Sequence, residues 1–139
     1  MRPGGRILAV DYGSKRIGLA LSDPLRIFAK PLKVIPNQGF TFIVKELETA
    51  ISEYGVGLLI CGIPYAIEGG DTPKTLETKE FMAQLAATLK VAVKPWDERY
   101  STDEAEQELI KLGYGWKERR GFQDAMAAAV ILKSYLESQ

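Results

Sequence analysis

Acidic side chains follow two strand-like apolar runs in this sequence. Asp11 ends "ILAVD", and Asp97 and Glu98 follow "VAVKPW". A third acid, Asp124, opens the alanine-rich stretch "DAMAAAVIL", whose small residues favour close approach of a helix to a sheet. Convergent carboxylates repel one another and cannot all ionise cheaply without a cation. With one or two divalent ions bound, such a group can activate water against a phosphodiester.

Each of these acids also has a structural interpretation. Asp11 could cap a turn, and Asp124 could be a first-turn acid that interacts with a helix dipole. Asp97 could support Glu98 or simply terminate a strand. Local sequence does not separate these alternatives, so the case for a metal site depends on the convergence of Asp11, Glu98 and Asp124 at one sheet edge.

The acids that follow in "STDEAEQE" indicate the start of a helix. Ser101 is followed three residues later by Glu104, which is the capping-box pattern. Asp103 falls in the first turn, where the helix macrodipole favours negative charge. We therefore predict that Ser101 caps a helix from about 102 to 112, and that the acids on its later turns have structural roles: Glu106 and Glu108.

Composition excludes several kinds of active site. Histidine is absent from the 139 residues, which excludes a Ser-His-Asp triad, a Cys-His pair and imidazole-ligated zinc. Carboxylates suit hard cations such as Mg²⁺ or Mn²⁺. The single cysteine, Cys61, cannot form an internal disulfide, so the cytoplasm is the expected compartment. Lys plus Arg and Asp plus Glu both number 18, so nucleic-acid binding needs a local basic patch.

Hydrophobic periodicity predicts the element order β-β-β-α-β-α-β-α-α. It favours one α/β domain over 1–139, with helices on both faces of a mixed five-stranded sheet whose first three strands are antiparallel and later strands parallel. No signal peptide or membrane span is expected. The predicted ranges are strands at 6–13, 16–23, 29–36, 56–62 and 91–96, and helices at 40–54, from Thr72, 102–112 and 121–137.

The first two strands are predicted to form a hairpin that turns at Ser14 and Lys15. This register places Asp11 opposite Gly18. A glycine there leaves space beside the carboxylate, where a metal or a phosphate could approach. The second helix is predicted to begin at Thr72, with Pro73 in its first position and an inner face formed by a set of apolar residues: Phe81, Met82, Leu85, Ala86 and Leu89.

Four motifs, in order along nearly the whole chain, resemble those of the YqgF/RuvX family of RNase H-like proteins. They are "DYGSKRIGLALSD", "GIPYAIEGG", "DERYST" and "QDAMAAAVIL". Members of that family are described as Holliday-junction resolvases or as nucleases that mature the 5′ end of 16S ribosomal RNA. The resemblance implies an RNase H-like fold with Asp11, Glu98 and Asp124 as an acidic triad.

Basic and aromatic residues flank the proposed ligands. Lys15, Arg16 and Arg99 are predicted to contact phosphates, which would position a strand without reading its sequence. The "EGGDT" turn could offer backbone N–H groups to a phosphate. Other basic and aromatic candidates have solvated charge or packing as the favoured role: Lys117, Arg119, Arg120, Tyr12, Tyr100 and Trp116.

The leading hypothesis is a hydrolase: a nuclease dependent on Mg²⁺ or Mn²⁺ that processes the 5′ end of precursor 16S ribosomal RNA. The alternatives are a resolvase of branched DNA and a non-catalytic nucleic-acid module. A third is an ATP-handling domain, because "DYGSKRIGLALSD" also resembles the phosphate hairpin of actin-like proteins. The partner is structured RNA or branched DNA rather than a membrane, and the chain is a monomer or a homodimer.

Overall fold

A mixed sheet of five strands carries the site residues, in the order β3-β2-β1-β4-β5. The computed structural model describes residues 4–113 and 122–139. The strands are β1 Arg6–Asp11, β2 Arg16–Ser22, β3 Ala29–Pro36, β4 Val56–Ile63 and β5 Ala92–Asp97. The helices are α1 Phe40–Tyr54, α2 Pro73–Thr88, α3 Asp103–Lys111 and α4 Gln123–Glu137, with a 3₁₀ turn at Glu98–Tyr100.

The strand directions confirm the predicted α/β architecture. β1 pairs with β2 and β2 with β3 in antiparallel fashion, whereas β4 is parallel to both β1 and β5. Asp11 is the register partner of Gly18, as the hairpin predicted. The proline-containing strands β3 and β5 form the two edges, where a missing N–H disrupts no central ladder.

Alternate residues of the central strands face two separate cores. Leu8, Val10 and Cys61 belong to the core beneath α1 and α2. Ile7, Ala9 and Ile60 belong to the core beneath α3 and α4. Because side chains alternate along a strand, Asp11 follows Ile7 and Ala9 onto the α4 face. No helix in the described ranges is long and apolar enough to cross a membrane.

The ends of α1 and α2 follow local sequence rules. Gly55 closes α1 with φ 65° and ψ 51°, the left-handed conformation that glycine adopts at low cost. Thr72 caps α2 through reciprocal hydrogen bonds with Thr75, and Pro73 occupies the first helical position.

The predicted inner face of α2 was partly wrong. Phe81, Leu85 and Leu89 are buried, but Ala86 is exposed. The polar residues Thr75 and Thr78 are buried instead. Their hydroxyl groups bond to the carbonyls of Pro64 and Lys74, so both are satisfied within the fold.

The predicted cap of α3 was also wrong. Thr102, not Ser101, is the N-cap, and its hydroxyl accepts a hydrogen bond from the Ala105 N–H at 3.1 Å. The reason is the preceding 3₁₀ turn. That turn ends at Ser101, whose N–H bonds back to the Glu98 carbonyl at 2.9 Å. The capping pattern is therefore displaced by one residue.

Candidate active site

Asp11 ends the central strand β1 between two glycines on neighbouring strands. On one side it pairs with Gly18 of β2. On the other side, Val10 pairs with Cys61 of β4, so the next residues along the parallel strands are Asp11 and Gly62. Alternation places all three residues on the α4 face of the sheet. The two missing side chains leave room next to the Asp11 carboxyl group, and different parts of the chain fill it.

The space over Gly18 is filled by the first turn of α4. A Cβ atom on Gly18 would lie 1.8 Å from the carbonyl oxygen of Asp124. The prediction that this glycine opens a path for a metal or a phosphate was therefore wrong. It allows the helix backbone to rest on the sheet, which brings Asp124 beside Asp11.

The space over Gly62 is filled by the side chain of Glu98. A Cβ atom on Gly62 would lie 2.9 Å from both Cγ and Oε2 of Glu98, and 2.6 Å from Cδ1 of Ile131. Glu98 begins the 3₁₀ turn that follows β5, so its side chain can return over β4. Gly62 was not among the residues predicted from the sequence, although a glycine at the end of the apolar run "LLICG" was a signal for close approach.

Burial and mutual repulsion shift the pKa values of the two inner acids. The pKa of Asp11 is raised to about 6, first by desolvation and then by the charge of Asp124. The pKa of Glu98 is raised to about 7, first by desolvation and then by the charge of Asp11. A hydrogen bond between the two carboxyl groups raises the pKa of Glu98 and lowers that of Asp11. This pair therefore retains a proton near neutral pH.

Lys74, in the first turn of α2, is a second residue that the sequence analysis missed. Its charge lowers the pKa of both Asp11 and Glu98. Its Nζ atom lies 5.5 Å from the centroid of the Tyr12 ring, and the side chain is exposed. Nothing in the spacing of "DTPK" indicated that this lysine would face acids on two other elements.

Asp124 is near Asp11 but has another partner. Its Oδ2 accepts a hydrogen bond from Nε of Arg16 at 2.8 Å. Arg16 is the first residue of β2, and Asp124 is the second residue of α4. The predicted phosphate-binding arginine is thus bonded to the predicted third ligand.

The carboxyl groups of Asp11 and Glu98 are a donor set that suits a hard divalent cation. Asp11 and Glu98 supply adjacent, partly buried carboxyl oxygens that such an ion would stabilise in the charged form. Within residues 4–113 and 122–139, however, no three acidic, histidine or cysteine side chains are close enough to hold an ion together. The Asp124 Oδ2 atom is instead bonded to Arg16.

Asp97 holds the 3₁₀ turn that carries Glu98. Its Oδ1 accepts a hydrogen bond from the Arg99 N–H at 2.9 Å, and its Oδ2 pairs with Arg99 Nη2 at 2.7 Å. The Arg99 guanidinium holds the pKa of Asp97 below its ordinary value. Asp97 therefore both ends β5 and caps the turn that begins with Glu98, so the structure does not separate the two roles that the sequence left open.

Arg99 also has intramolecular partners beyond Asp97. Its Nη1 bonds to the Ala66 carbonyl at 3.3 Å, and its guanidinium lies 5.3 Å from the Tyr65 ring centroid. Lys79 lies 4.9 Å from the same ring centroid. These contacts tie the loop after β4 to the turn that carries Glu98. A role for Arg99 in phosphate contact stays a prediction.

The other residues considered as nucleic-acid contacts lie in different environments. Lys15 is exposed on the hairpin turn. Asn37 stabilises this turn, because its side-chain amide donates to the Gly13 carbonyl and its backbone N–H donates to the Lys15 carbonyl. Tyr12 stacks on Phe81 with ring centroids 4.2 Å apart, which supports the packing role, whereas Tyr100 is 62% exposed. In the "EGGDT" turn, the Gly69 N–H bonds internally to the Ala66 carbonyl. Four predicted residues lie outside the described residues: Trp116, Lys117, Arg119 and Arg120.

This chain is similar to known proteins over nearly its whole length. A family model described as "RuvX: Holliday junction resolvase" matches residues 5–138. A protein of Pelotomaculum thermopropionicum is 39% identical over 96% of this chain and 88% of its own length. One of Halothermothrix orenii is 38% identical over 96% of both chains. Both bear the name "Putative pre-16S rRNA nuclease".

Two solved structures share the fold at low sequence identity. Thermus thermophilus RuvC in complex with a Holliday junction substrate has a TM-score of 0.61 and 14% identity, with 96% of each chain covered. The yeast mitochondrial Holliday junction resolvase has a TM-score of 0.60 and 11% identity, covering 98% of this chain and 79% of its own.

Proposed function

The chain belongs to the RuvX family, and from that premise we propose that it is a divalent-metal-dependent nuclease that hydrolyses phosphodiester bonds in nucleic acid. Its preferred substrate is precursor 16S ribosomal RNA, in keeping with the names of its relatives. The cleavage at the 5′ end is part of the proposal, because the family that the sequence motifs resemble matures that end. Such processing occurs in the cytoplasm. The catalytic residues in this proposal are Asp11, Glu98 and Asp124.

The observation that carries the proposal is the enforced proximity of Asp11 and Glu98. Two glycines on flanking strands make room for acids from distant parts of the chain, and the resulting burial raises the pKa of both inner carboxyl groups. Acids whose pKa values are raised by burial and mutual repulsion cluster at functional sites. A purely structural role does not require acids at this position.

Asp11 and Glu98 would hold Mg²⁺ or Mn²⁺, and Asp124 would join them. Such an ion, when bound, lowers the pKa of water and stabilises charge on a leaving oxygen. Lys74, in the first turn of α2, and Lys15, on the hairpin turn, are both exposed. Both can neutralise phosphate oxygens of a nucleic-acid strand and position it against the carboxyl pair.

The test is metal-dependent cleavage by the wild type and by Asp11→Asn. The substrate panel contains precursor 16S RNA, single strands and four-way DNA junctions, each with Mn²⁺. We expect cleavage of the precursor RNA near its 5′ end by the wild type and none by the variant. Equal cleavage by both proteins would show that Asp11 has no catalytic role and would contradict the proposed acidic site.

The same panel separates the alternatives. Cleavage of four-way junctions alone would favour a resolvase that acts on branched DNA, which is the description of the matching family model. Binding without cleavage of any substrate would favour a non-catalytic nucleic-acid module. Thermal stabilisation by ATP would favour the nucleotide-binding alternative.

A further inference from the structure

We infer that Arg16 is a switch between Asp124 and the nucleic-acid backbone, so that binding of a phosphate releases Asp124 to the metal site. This inference rests on the proposed function and deepens it. It makes metal binding and nucleic-acid binding mutually dependent. Arg16 Nε and Asp124 Oδ2 form an ion pair at 2.8 Å. A phosphate that binds Arg16 and a metal ion that binds Asp124 would both favour the state in which this ion pair is broken.

The backbones of both partners are fixed, so only their side chains need to move. Arg16 starts β2 and pairs with Pro36 of β3. The carbonyl of Asp124 sits over Gly18, where there is no room even for a methyl group. Opening the ion pair therefore frees a carboxylate that is already near Asp11, since its charge contributes to the raised pKa of that acid.

The ion pair is also exposed enough to be exchanged. The side chains of Arg16 and Asp124 are 58% and 33% exposed. Exposed pairs of this kind typically contribute about 0.2–1 kcal/mol. The contact between Arg16 and Asp124 is charge-assisted but uses only Nε, whereas a phosphate can accept two parallel hydrogen bonds from a guanidinium. A nucleic-acid strand can thus displace the carboxylate from Arg16.

Charge balance supports the exchange. While Asp124 is paired with Arg16, its Oδ2 is engaged by the guanidinium, although its charge still raises the pKa of Asp11. After the exchange, Arg16 neutralises a phosphate and Asp124 contributes a third carboxylate next to the inner pair. Because coupling between two ligands is reciprocal, a metal ion should tighten nucleic-acid binding by the same factor.

The first experiment measures Mn²⁺ affinity by calorimetry without nucleic acid. Arg16→Gln should bind Mn²⁺ about two- to fivefold more tightly than the wild type, the range that corresponds to a weak exposed ion pair. Lys15→Gln is the matched control, because it removes an equal charge from the adjacent turn residue. It should change the affinity by less than about half of that effect.

The second experiment measures binding of an uncleavable 2′-O-methyl RNA with and without Mn²⁺ at constant ionic strength. Mn²⁺ should tighten binding to the wild type and, by a similar factor, to Lys15→Gln, but not to Arg16→Gln. Because Lys15 is itself a proposed phosphate contact, the affinity of Lys15→Gln for RNA should be lower both with and without Mn²⁺, and only the ratio of the two affinities is compared. Asp11→Asn lacks a proposed metal ligand, so any effect of Mn²⁺ on its RNA affinity measures Mn²⁺ that binds to the RNA rather than to the protein.

Two results would overturn the switch: Mn²⁺ affinity in Arg16→Gln no higher than in the wild type, or an equal gain in Lys15→Gln. Either result leaves the proposed nuclease intact if Asp11→Asn loses Mn²⁺ binding. If Asp11→Asn binds Mn²⁺ as the wild type does, the metal site itself is wrong and both proposals fail.

Discussion

Glu98 occupies the space that a side chain at Gly62 would need. Its Cγ and Oε2 atoms lie 2.9 Å from where a Cβ atom on Gly62 would be, well inside ordinary van der Waals contact. The glycine is the penultimate residue of strand β4, and the acid begins the turn after β5. A backbone position on one strand thus determines where a carboxyl group from the next element can lie.

Replacing Gly62 with alanine should displace Glu98 without unfolding the protein. The added methyl group would meet the ends of two movable side chains, those of Glu98 and Ile131, so they can shift at a cost of about 1–3 kcal/mol. Moving one acid away from Asp11 should lower Mn²⁺ affinity about tenfold or more, the loss typical when support for a metal ligand is removed. Calorimetry with Mn²⁺ and chemical denaturation measure the two effects.

Gly4→Ala is the control, because a Cβ atom there would meet nothing within 4 Å. It should match the wild type in both measurements. Unchanged Mn²⁺ affinity in Gly62→Ala would mean that the position of Glu98 over β4 does not matter for metal binding.

Replacing Gly18 with alanine should be more damaging to the fold than the Gly62 substitution. Its Cβ atom would fall 1.8 Å from the Asp124 carbonyl oxygen, which is backbone and cannot rotate away. Helix α4 would have to lift from β2, exposing part of its buried face. The melting temperature of Gly18→Ala should therefore lie below that of Gly62→Ala, and the reverse order would contradict the close docking of α4 on Gly18.

Much of this fold could be predicted from the sequence because its signals are local or alternate regularly. The hairpin register of Asp11 and Gly18 followed from strand lengths and the intervening turn. Gly55 and Thr72 ended and began helices by capping chemistry that involves only nearby residues. Asp11 and Glu98 were expected at one sheet edge because both come at the ends of apolar strands. The structure places those strands, β1 and β5, on either side of β4 rather than next to each other.

The features of the site that were not predicted correctly depend on contacts between segments that are distant in the sequence. Whether the space over Gly18 is open or filled is decided by the docking of α4, more than a hundred residues later. The approach of Lys74 to two acids arises from the path of α2 over the sheet. The pairing of Arg16 with Asp124 likewise joins residues 108 positions apart. No local pattern encodes these distances.

Without metal, the protein should become less stable as the pH rises through the titration of the inner acids. The pKa of Glu98 is about 7 and that of Asp11 about 6 when folded, against ordinary values of 4.5 and 3.8. The folded state therefore retains protons that the unfolded chain releases. The free energy of unfolding should fall between about pH 5 and 7.5, by on the order of 3 kcal/mol. Urea denaturation in EDTA measures this.

The double variant Asp11→Asn with Glu98→Gln removes both titrations with little change in shape. Its stability should be nearly constant over the same pH range. It should also exceed that of the wild type at pH 8, where the wild type must hold both charges together. A parallel decline in both proteins would assign the pH dependence to other groups.

Mn²⁺ binding should release protons near pH 6 and hardly any at pH 8. At pH 6 the carboxyl pair retains protons, because the pKa values of Asp11 and Glu98 are about 6 and 7. Metal ligands must be deprotonated, so binding should expel roughly one proton at pH 6. Calorimetry in buffers with different ionisation enthalpies counts the protons released. Equal release at both pH values would place the metal elsewhere.

The cap of α3 can be assigned by comparing substitutions at Ser101 and Thr102. The Thr102 hydroxyl accepts a hydrogen bond from the Ala105 N–H, so Thr102→Ala should lower the free energy of unfolding by about 1 kcal/mol. The Ser101 hydroxyl is buried without a hydrogen-bond partner in the described part of the chain. Ser101→Ala removes that unpaired polar group and should leave stability unchanged or slightly raised. Urea denaturation of the two variants measures both effects. A larger loss in Ser101→Ala would restore Ser101 as the cap, as the sequence pattern alone had indicated.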